Sequence, residues 1–306
     1  MHSNKRPSSV RAPRVSLGMP VFNGERWLDA TLEALRSQSF ADFELIISDN
    51  ASEDRSQEIC ELHAADDARV RYVRQARNIG ANRNYVAVLA HASAPYFKWT
   101  SANDLCASEF LDSCVRALDR RPDAVLAFPQ TSLFVDDIAD ATEYECDFAV
   151  EDEQPSLRFA RIIRETRLNN SFNGLIRTEA LRRSLTLGSF DAADIVLMAE
   201  LALLGKSVLV PQRLFFRRMS RESATLLRGR RALEAHIEPG ARRPLLWQHW
   251  KYHLRVLRAA ARSSPRGAEW LRAVGFSLRY MAWARNELAH DVLEAARQMT
   301  PAGEAL

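Results

Sequence analysis

Four short polar clusters in the first third of the chain carry the side chains best suited to grip a charged small molecule. Pro20-Val21-Phe22-Asn23-Gly24-Glu25 reads as a strand-to-helix turn, whose free backbone N–H groups can meet a nucleotide. Asp49-Asn50-Ala51-Ser52 follows an apolar run, where a carboxylate can accept hydrogen bonds from a base N–H or from ribose hydroxyls. Asn78-Ile79-Gly80, with Asn84, opens a helix with polar side chains aimed back at the same edge. Ser101-Ala102-Asn103-Asp104 ends on a carboxylate able to hold a divalent cation against a pyrophosphate. An Asp after a strand is more often a turn or cap residue, so one such cluster says little. Four in succession, each after an apolar run, say more.

The elements that must position these clusters follow from hydrophobic periodicity. Val15–Met19, Phe43–Ser48, Val70–Val73, Tyr96–Trp99 and Ala124–Val135 are predicted strands. Helical patterns alternate with them: Arg26–Ser37 with Trp27, Leu28, Leu32 and Leu35 on one face, a second helix ending near Ala65, Asn82–Ala92, and Glu109–Arg120 with Ser108 as N-cap. Glu143 to Pro155 is acidic and reads as a loop over the site. Leu175-Ile176 forms a short strand, and a helix follows from Thr178. Asp191–Leu204 is a helix that Gly205 stops, and Val208–Val210 and Leu214–Phe216 complete the sheet. Such alternation predicts an α/β fold, a mixed but mainly parallel central sheet flanked by helices. In open α/β sheets ligands bind at the C-terminal strand ends, which is where all four clusters fall. Residues 1–13 read as a disordered basic leader, 14–218 as the α/β domain, and 219–306 as an Arg-rich helical extension with Trp247, Trp250, Trp270 and Trp283. That extension is expected to be helices packed on the α/β domain, an amphipathic membrane-surface element being the other option.

Composition removes several classes. With 47% hydrophobic and 26% charged residues the chain is ordinary for a globular protein. A net charge of +3, without a basic stripe interleaved with aromatics, argues against nucleic acid. No apolar run is long enough for a signal peptide core or a membrane span, so a cytoplasmic protein is expected, with peripheral contact at the inner membrane face left open. Cys60, Cys106, Cys114 and Cys146 have no zinc spacing and suit a reducing compartment. His249 and His253 stand four apart but lack the acidic partner of a zinc helix, so packing roles are expected. Neither GxGxxG nor GxxxxGK[ST] occurs. Asn169-Asn170-Ser171 matches a glycosylation sequon that a cytosolic chain would leave silent.

The stretches VSLGMPVFNGERWLDATLEALRSQSF, FELIISDNASEDRS, RNIGANRNY and PYFKWTSANDLCASEFL resemble family 2 glycosyltransferases, and FNGLIRTEALRRS and DIVLMAELALLGK do so more loosely. The resemblance implies a GT-A fold and an inverting transfer of sugar from a nucleoside-diphosphate donor, by family frequency a UDP-sugar, to a hydroxyl of a glycan or lipid-linked acceptor. Cell-surface polysaccharide or glycolipid synthesis is the implied setting. It further implies a donor site built from Pro20, Val21, Phe22, Glu25, Asp49, Asn50, Ser52, Asn78, Asn84, Asn103 and Asp104, with Asp104 holding Mg²⁺ or Mn²⁺. The family's general base is an Asp at the start of a helix, a position that matches Asp194, with Asp191 as second candidate; either could instead merely cap the helix. Glu200 is expected in a structural ion pair. Acceptor specificity is expected in Glu143 to Asn173 and in the tail.

Two departures bear on the metal. Asn103 stands where the family usually has an acid, and Phe216-Arg217-Arg218-Met219-Ser220 lacks the His that often completes the metal site. Arg217 or Arg218 could neutralise the leaving diphosphate instead. The same departures support a competing expectation, a catalytically silent nucleotide-binding relative that scaffolds a glycan assembly complex.

Overall fold

The computed structural model describes residues 12–185, 187–220, 234, 236–240 and 246–299. Most of the expected leader, and the start of the helical extension, therefore lie outside the described residues.

The chain opens with alternating strands and helices: β1 (Val15–Val21), α1 (Glu25–Arg36), β2 (Phe43–Asp49), α2 (Ser56–Asp66), β3 (Val70–Arg74), α3 (Ala81–Ala90) and β4 (Tyr96–Trp99). Next come β5 (Leu105–Cys106), α4 (Phe110–Arg120), β6 (Ala124–Phe134), β7 (Thr142–Tyr144) and α5 (Pro155–Glu165). A 3₁₀ turn (Asn170–Asn173) then leads into β8 (Leu175–Arg177), α6 (Thr178–Arg183), α7 (Ala193–Leu204) and β9 (Lys206–Arg218). Three more helices, α8 (Gln248–Ser263), α9 (Ala268–Trp283) and α10 (Arg285–Met299), close the described chain. The strands form one sheet in the order β3-β2-β1-β4-β8-β6-β9-β5, with β7 on β6. Pairs β1/β2, β1/β4, β2/β3 and β6/β9 are parallel, whereas β8 is antiparallel to both neighbours. The expected mixed, mainly parallel α/β sheet is therefore the fold.

The sheet's central strands are buried on both faces, as parallel sheets require. One core layer joins Leu28, Leu32 and Leu35 of α1 to Leu17, Met19, Leu45 and Ile47 and to Phe110 and Leu118 of α4. The other joins Phe97, Trp99, Leu126 and Phe128 to α5 and α7, and takes in Val256, Ala259 and Ala260 of α8 with Ala273 and Phe276 of α9. The terminal helices thus share the core of the α/β layers. Glu200, buried in α7, accepts hydrogen bonds from Leu185 N at 2.7 Å and from Ser263 Oγ of α8 at 2.6 Å.

Several local expectations are corrected. Val208–Val210 and Leu214–Phe216 are parts of one 13-residue strand, which keeps pace with β6 through register shifts around Gln130. Gly205 does end α7, but in extended backbone. Glycine is needed there because a Cβ would lie 3.0 Å from Asp123 O and 2.5 Å from a Val125 methyl. Ser108 does not cap α4; its hydroxyl donates to Glu109 instead. Within the acidic stretch from Glu143, β7 ends at Tyr144, and Asp147 anchors other segments by accepting from Thr131 N at 2.7 Å.

Candidate active site

Strand direction decides which loops meet. Register pairs Val21 with Asp49, Asp49 with Arg74 and Gly18 with Trp99, so β1 to β4 all leave the sheet at one edge. Because β8 runs the other way, it enters from that edge. The 3₁₀ turn before it therefore sits beside loops that follow β1, β2 and β4. Phe134 pairs with Arg218, which brings the end of β9 to the same place. The helix α7 precedes β9 and crosses the sheet against it, so its N-terminus lies there too.

On the β1–β3 side the clusters are laced to one another. Asn23 N donates to Ser52 Oγ at 3.0 Å, Gly24 N to Ser56 Oγ at 2.8 Å and Glu25 N to Asp54 Oδ2 at 3.0 Å. In return Asn23 Oδ1 accepts from Glu53 N and Glu25 Oε2 from Arg55 N, both at 2.9 Å. The backbone N–H groups of residues 23–25 are thus not free, which corrects the expectation for that turn. Polar side chains rather than a ligand satisfy the start of α1.

Asp49 is fully buried. Its Oδ1 accepts from Ser52 N at 2.9 Å, and its Oδ2 from Tyr72 Oη at 2.7 Å and from Arg74 Nη1 at 2.5 Å. Buried Asn50 donates to Asn78 Oδ1 at 2.7 Å and accepts from Ile79 N at 2.8 Å. Asn84 is spent on Ser48, accepting from its hydroxyl at 2.6 Å and donating to its carbonyl at 2.8 Å. Ile237 O packs over Gly80, where a Cβ would come within 2.2 Å and φ is +87°. The groups left facing outward are Pro20, the exposed ring of Phe22, and the Asn78 amide nitrogen, which has no partner among the described residues.

The other side carries the acids. Asp104 is buried after β4; its Oδ1 accepts from Arg218 N and its Oδ2 from Ser101 Oγ, each at 2.8 Å. Burial pushes its carboxyl above the ordinary Asp range, despite those hydrogen bonds and the pull of Arg217 and Lys98. Asp194 occupies the first turn of α7 and accepts from Asn169 Nδ2 at 2.9 Å. Burial raises it as well, over the opposing effect of Asn169, two backbone N–H groups and Arg217. Tyr85 of α3 registers both acids. Burial and then the charges of Asp104 and Asp194 push its phenol up to about 12. Asp104, Asp194, Tyr85 and Arg217 therefore lie close enough to feel one another's charge, gathered at one site in which Asp104 is buried and the other three are half-buried. Asp191 is exposed, accepts from Ala192 N and stands outside that group.

The two arginines separate clearly. Arg218 is buried against Trp27 and Phe134, 3.7 and 4.2 Å from the ring centroids, and donates to the carbonyls of Asn103, Val135 and Asp136. Its side chain clamps the loop that carries Asp104. Arg217 points into the pocket and donates to Asn170 Oδ1 at 2.7 Å, while Asn170 donates to Asp147 at 2.9 Å. None of Asn169, Asn170, Tyr85 and Asp147 was singled out as a donor-site or catalytic candidate, although all but Tyr85 fall within the Glu143 to Asn173 stretch expected to set acceptor specificity. For Asn169 and Asn170 the signal was a polar run placed before a strand instead of after one, which points at the same edge only once β8 is known to be antiparallel.

A divalent cation would find one carboxylate here, that of Asp104, and the Asn103 side chain beside it. No salt bridge joins Asp104 to a cation among the described residues, so a bound metal would relieve the cost of burying it. That donor set suits Mg²⁺ or Mn²⁺ whose remaining ligands are donor phosphates. One group of three metal-capable side chains, His290, Asp291 and Glu294, gathers elsewhere among the described residues, on α10. Asp291 is already used there, accepting from His249 N at 2.9 Å and Trp250 N at 3.2 Å at the start of α8. His253 is buried beside Tyr252 and Tyr280, a packing role.

Residues 16–184 match the family model described as glycosyl transferase family 2. The chain belongs to that family. An abequosyltransferase of Salmonella typhimurium is 28% identical over 177 residues, 57% of this chain and 49% of that protein. The GalNAc(5)-diNAcBac-PP-undecaprenol beta-1,3-glucosyltransferase of Campylobacter jejuni is 29% identical over 93 residues, 30% of each chain. The match spans less than half the length of either. Among solved structures, S. aureus TarS 1-349 in complex with UDP superposes with a TM-score of 0.63 at 13% identity, covering 89% of this chain and 73% of that one. The mannosyltransferase PcManGT from Pyrobaculum calidifontis, in complex with GDP-Man and Mn²⁺, gives 0.54 at 15% identity, covering 97% and 80%. The structural likenesses establish the GT-A type of fold, and the family to which the chain belongs is one of glycosyltransferases.

Proposed function

We propose that the chain transfers a sugar from a nucleoside-diphosphate donor, a UDP-sugar in the first instance, to a hydroxyl of a lipid-linked or glycan acceptor, with inversion at the anomeric carbon. The observation that carries this reading is the convergence of Asp104, Asp194 and Arg217 beside Tyr85 at the sheet edge. The donor nucleotide lies over the ends of β1 to β3, with Pro20, Val21, Phe22 and Asn78 lining its base and ribose. Glu25, Asp49, Asn50, Ser52 and Asn84 hold those loops in shape. Asp194, in its ionised form, takes the acceptor hydroxyl proton as that oxygen attacks the anomeric carbon. The bond to the diphosphate breaks on the opposite face, which inverts the centre. Arg217 meets the charge that develops on the leaving oxygens. A divalent cation, when bound at Asp104, supplies further positive charge to the same diphosphate. Asp191 lies outside the pocket and is ranked below Asp194 as base.

The names of the similar proteins support the donor and acceptor classes: UDP, UDP-GlcNAc and GDP-Man accompany the structures, and one relative's name contains PP-undecaprenol. No helix among the described residues is long and apolar enough to cross a membrane, which suits a cytoplasmic or peripheral enzyme of glycan assembly. Donor hydrolysis and transfer by the wild-type chain, measured with UDP- and GDP-sugars with and without Mn²⁺, tests the reading. Turnover that disappears in Asp194→Asn and in Asp104→Asn is expected. Tight UDP binding with no turnover of any donor would instead favour a silent scaffold, and full activity in both variants would sink the site assignment.

A further inference from the structure

About half of the arginines in the α/β layers are ion-paired, among them Arg14 with Asp119, Arg74 with Asp49, Arg121 with Asp123 and Glu151, and Arg213 with Glu143 and Glu145. The terminal helices differ. Lys251, Arg258, Arg262, Arg266, Arg279 and Arg285 are exposed and form no ion pair with any described residue. Between positions 248 and 299 the sequence holds nine Lys and Arg against four Asp and Glu, a surplus of five in a chain whose net charge is +3. The rest of the molecule is therefore slightly acidic.

Exposed apolar side chains concentrate in the same place. Among the described residues thirteen large hydrophobics are exposed, and eight of them fall between Trp247 and Leu293. Leu271 and Leu278 stand seven apart on α9, hence on one face, at 66% and 52% exposure, with Arg272 and Arg279 alongside. On α8, Lys251, Leu254, Arg258 and Arg262 share a face by the same spacing, and α10 presents Val292 and Leu293. The inward faces of α8 and α9 are already committed to the core shared with α5 and α7.

We propose that the outward faces of α8, α9 and α10 form a surface that docks onto a bilayer rich in anionic lipid. Arginine stems can cover apolar surface while their guanidinium groups reach headgroup phosphates. Leucines enter the acyl boundary, and partly exposed Trp270 and Trp283 suit the interfacial layer. A second copy of the same face is the poorer occupant, because it would bring two sets of unpaired cations together. The proposal does not depend on which sugar or acceptor the cleft uses.

Vesicle flotation of the full chain tests it, with phosphatidylcholine alone and with added phosphatidylglycerol. Binding is expected only with the anionic vesicles and is expected to weaken as salt rises. The variant Arg258→Gln/Arg262→Gln/Arg279→Gln should lower partitioning by about a hundredfold, since each basic side chain near such a surface contributes about fivefold. Leu271→Ser/Leu278→Ser should also weaken it. Both variants alter exposed side chains, so circular dichroism and melting temperature should match the parent. The proposal is overturned if the parent floats with neither vesicle, or if both variants float like the parent. It is equally overturned if the Leu271→Ser/Leu278→Ser change only converts a dimer to a monomer, which would assign the face to a second copy.

Discussion

At the ends of β1 and β2 the buried polar groups are satisfied by one another, whereas at the same sheet edge two carboxylates, buried Asp104 and half-buried Asp194, keep a raised proton affinity despite the hydrogen bonds they accept. Asp49 accepts three hydrogen bonds, and Asp54 shows the electrostatic result: burial pushes its carboxyl up, but hydrogen bonds from Ser56 and Glu25 outweigh that and hold it below the ordinary range. For Asp104 and Asp194 the balance goes the other way, and burial wins. A carboxylate in the first state is scaffold, since its lone pairs and charge are spent. One in the second keeps a raised proton affinity and an unmet demand for positive charge, which is what a base and a diphosphate anchor need. Backbone geometry marks both regions alike. Asn23, Ala51 and Ala192 all adopt left-handed φ, at 49°, 61° and 57°, and non-glycine residues do so at a cost of about 1 kcal/mol or more.

The largest expected effect breaks the acidic side. Asp194→Asn should lower kcat by about 10³-fold, the usual scale for removing a positioned base. UDP affinity by calorimetry should be unchanged. Thermal stability should rise, because a charge that burial disfavours is gone. The sign fixes the pH dependence of that gain. A raised folded-state pKa gives a contribution that is fully present below the unfolded value and lost as pH rises through the folded one. The melting-temperature advantage of Asp194→Asn should therefore open as pH climbs above the ordinary Asp range and vanish in acid. The same raised value predicts that wild-type kcat falls on the acid side at a pH above the usual carboxylate range. An acid limb at an ordinary Asp pKa, or none, would contradict the assignment.

Arg217→Ala comes next, with an expected loss of about 10²-fold in kcat, in line with deleting one charge-stabilising donor at a developing anion. Arg217→Lys should restore part of the rate, since it keeps the charge but loses the planar fork that reaches Asn170. Equal rates for the two variants would mean that packing, not charge, is what Arg217 provides. Arg218→Lys is the control: its guanidinium lies between Trp27 and Phe134, so its failure should appear as lost stability.

How much of this was legible in the sequence follows from which interactions are local. The first four strands, their helices and the clusters after them were readable, because apolar runs and turn residues are adjacent in the chain. Asp104 and Asp194 were found for the same reason, helped by the family resemblance. What stayed hidden depends on strand direction and on long-range pairing. Short apolar segments such as Leu105-Cys106 and Leu175-Ile176 carry no direction of their own, so the antiparallel entry of β8 and the convergence of Asn169 and Asn170 on Asp194 and Arg217 were not derivable. The turn at Asn23 looked open because the acceptors for its amides, Ser52, Asp54 and Ser56, lie about thirty residues further on. Arg217 and Arg218 are chemically identical neighbours, and only the alternation along β9 sends one to the pocket and the other to Trp27.

The smallest kinetic effect should come from the satisfied side, and it decides whether that side is scaffold. Asn84 sits at the start of α3 with both ends of its amide on Ser48 of β2. Asn84→Ala leaves the Ser48 hydroxyl and carbonyl buried with fewer partners, which costs about 1–3 kcal/mol. The melting temperature should fall, while kcat per folded molecule changes by less than about threefold, because the substitution leaves Asp104, Asp194 and Arg217 with all their own hydrogen bonds. Donor KM should move little for the same reason. If instead stability holds while KM for the donor rises tenfold or more, Asn84 reaches the ligand, and the separation between a spent nucleotide cradle and an under-compensated catalytic pocket fails at that residue.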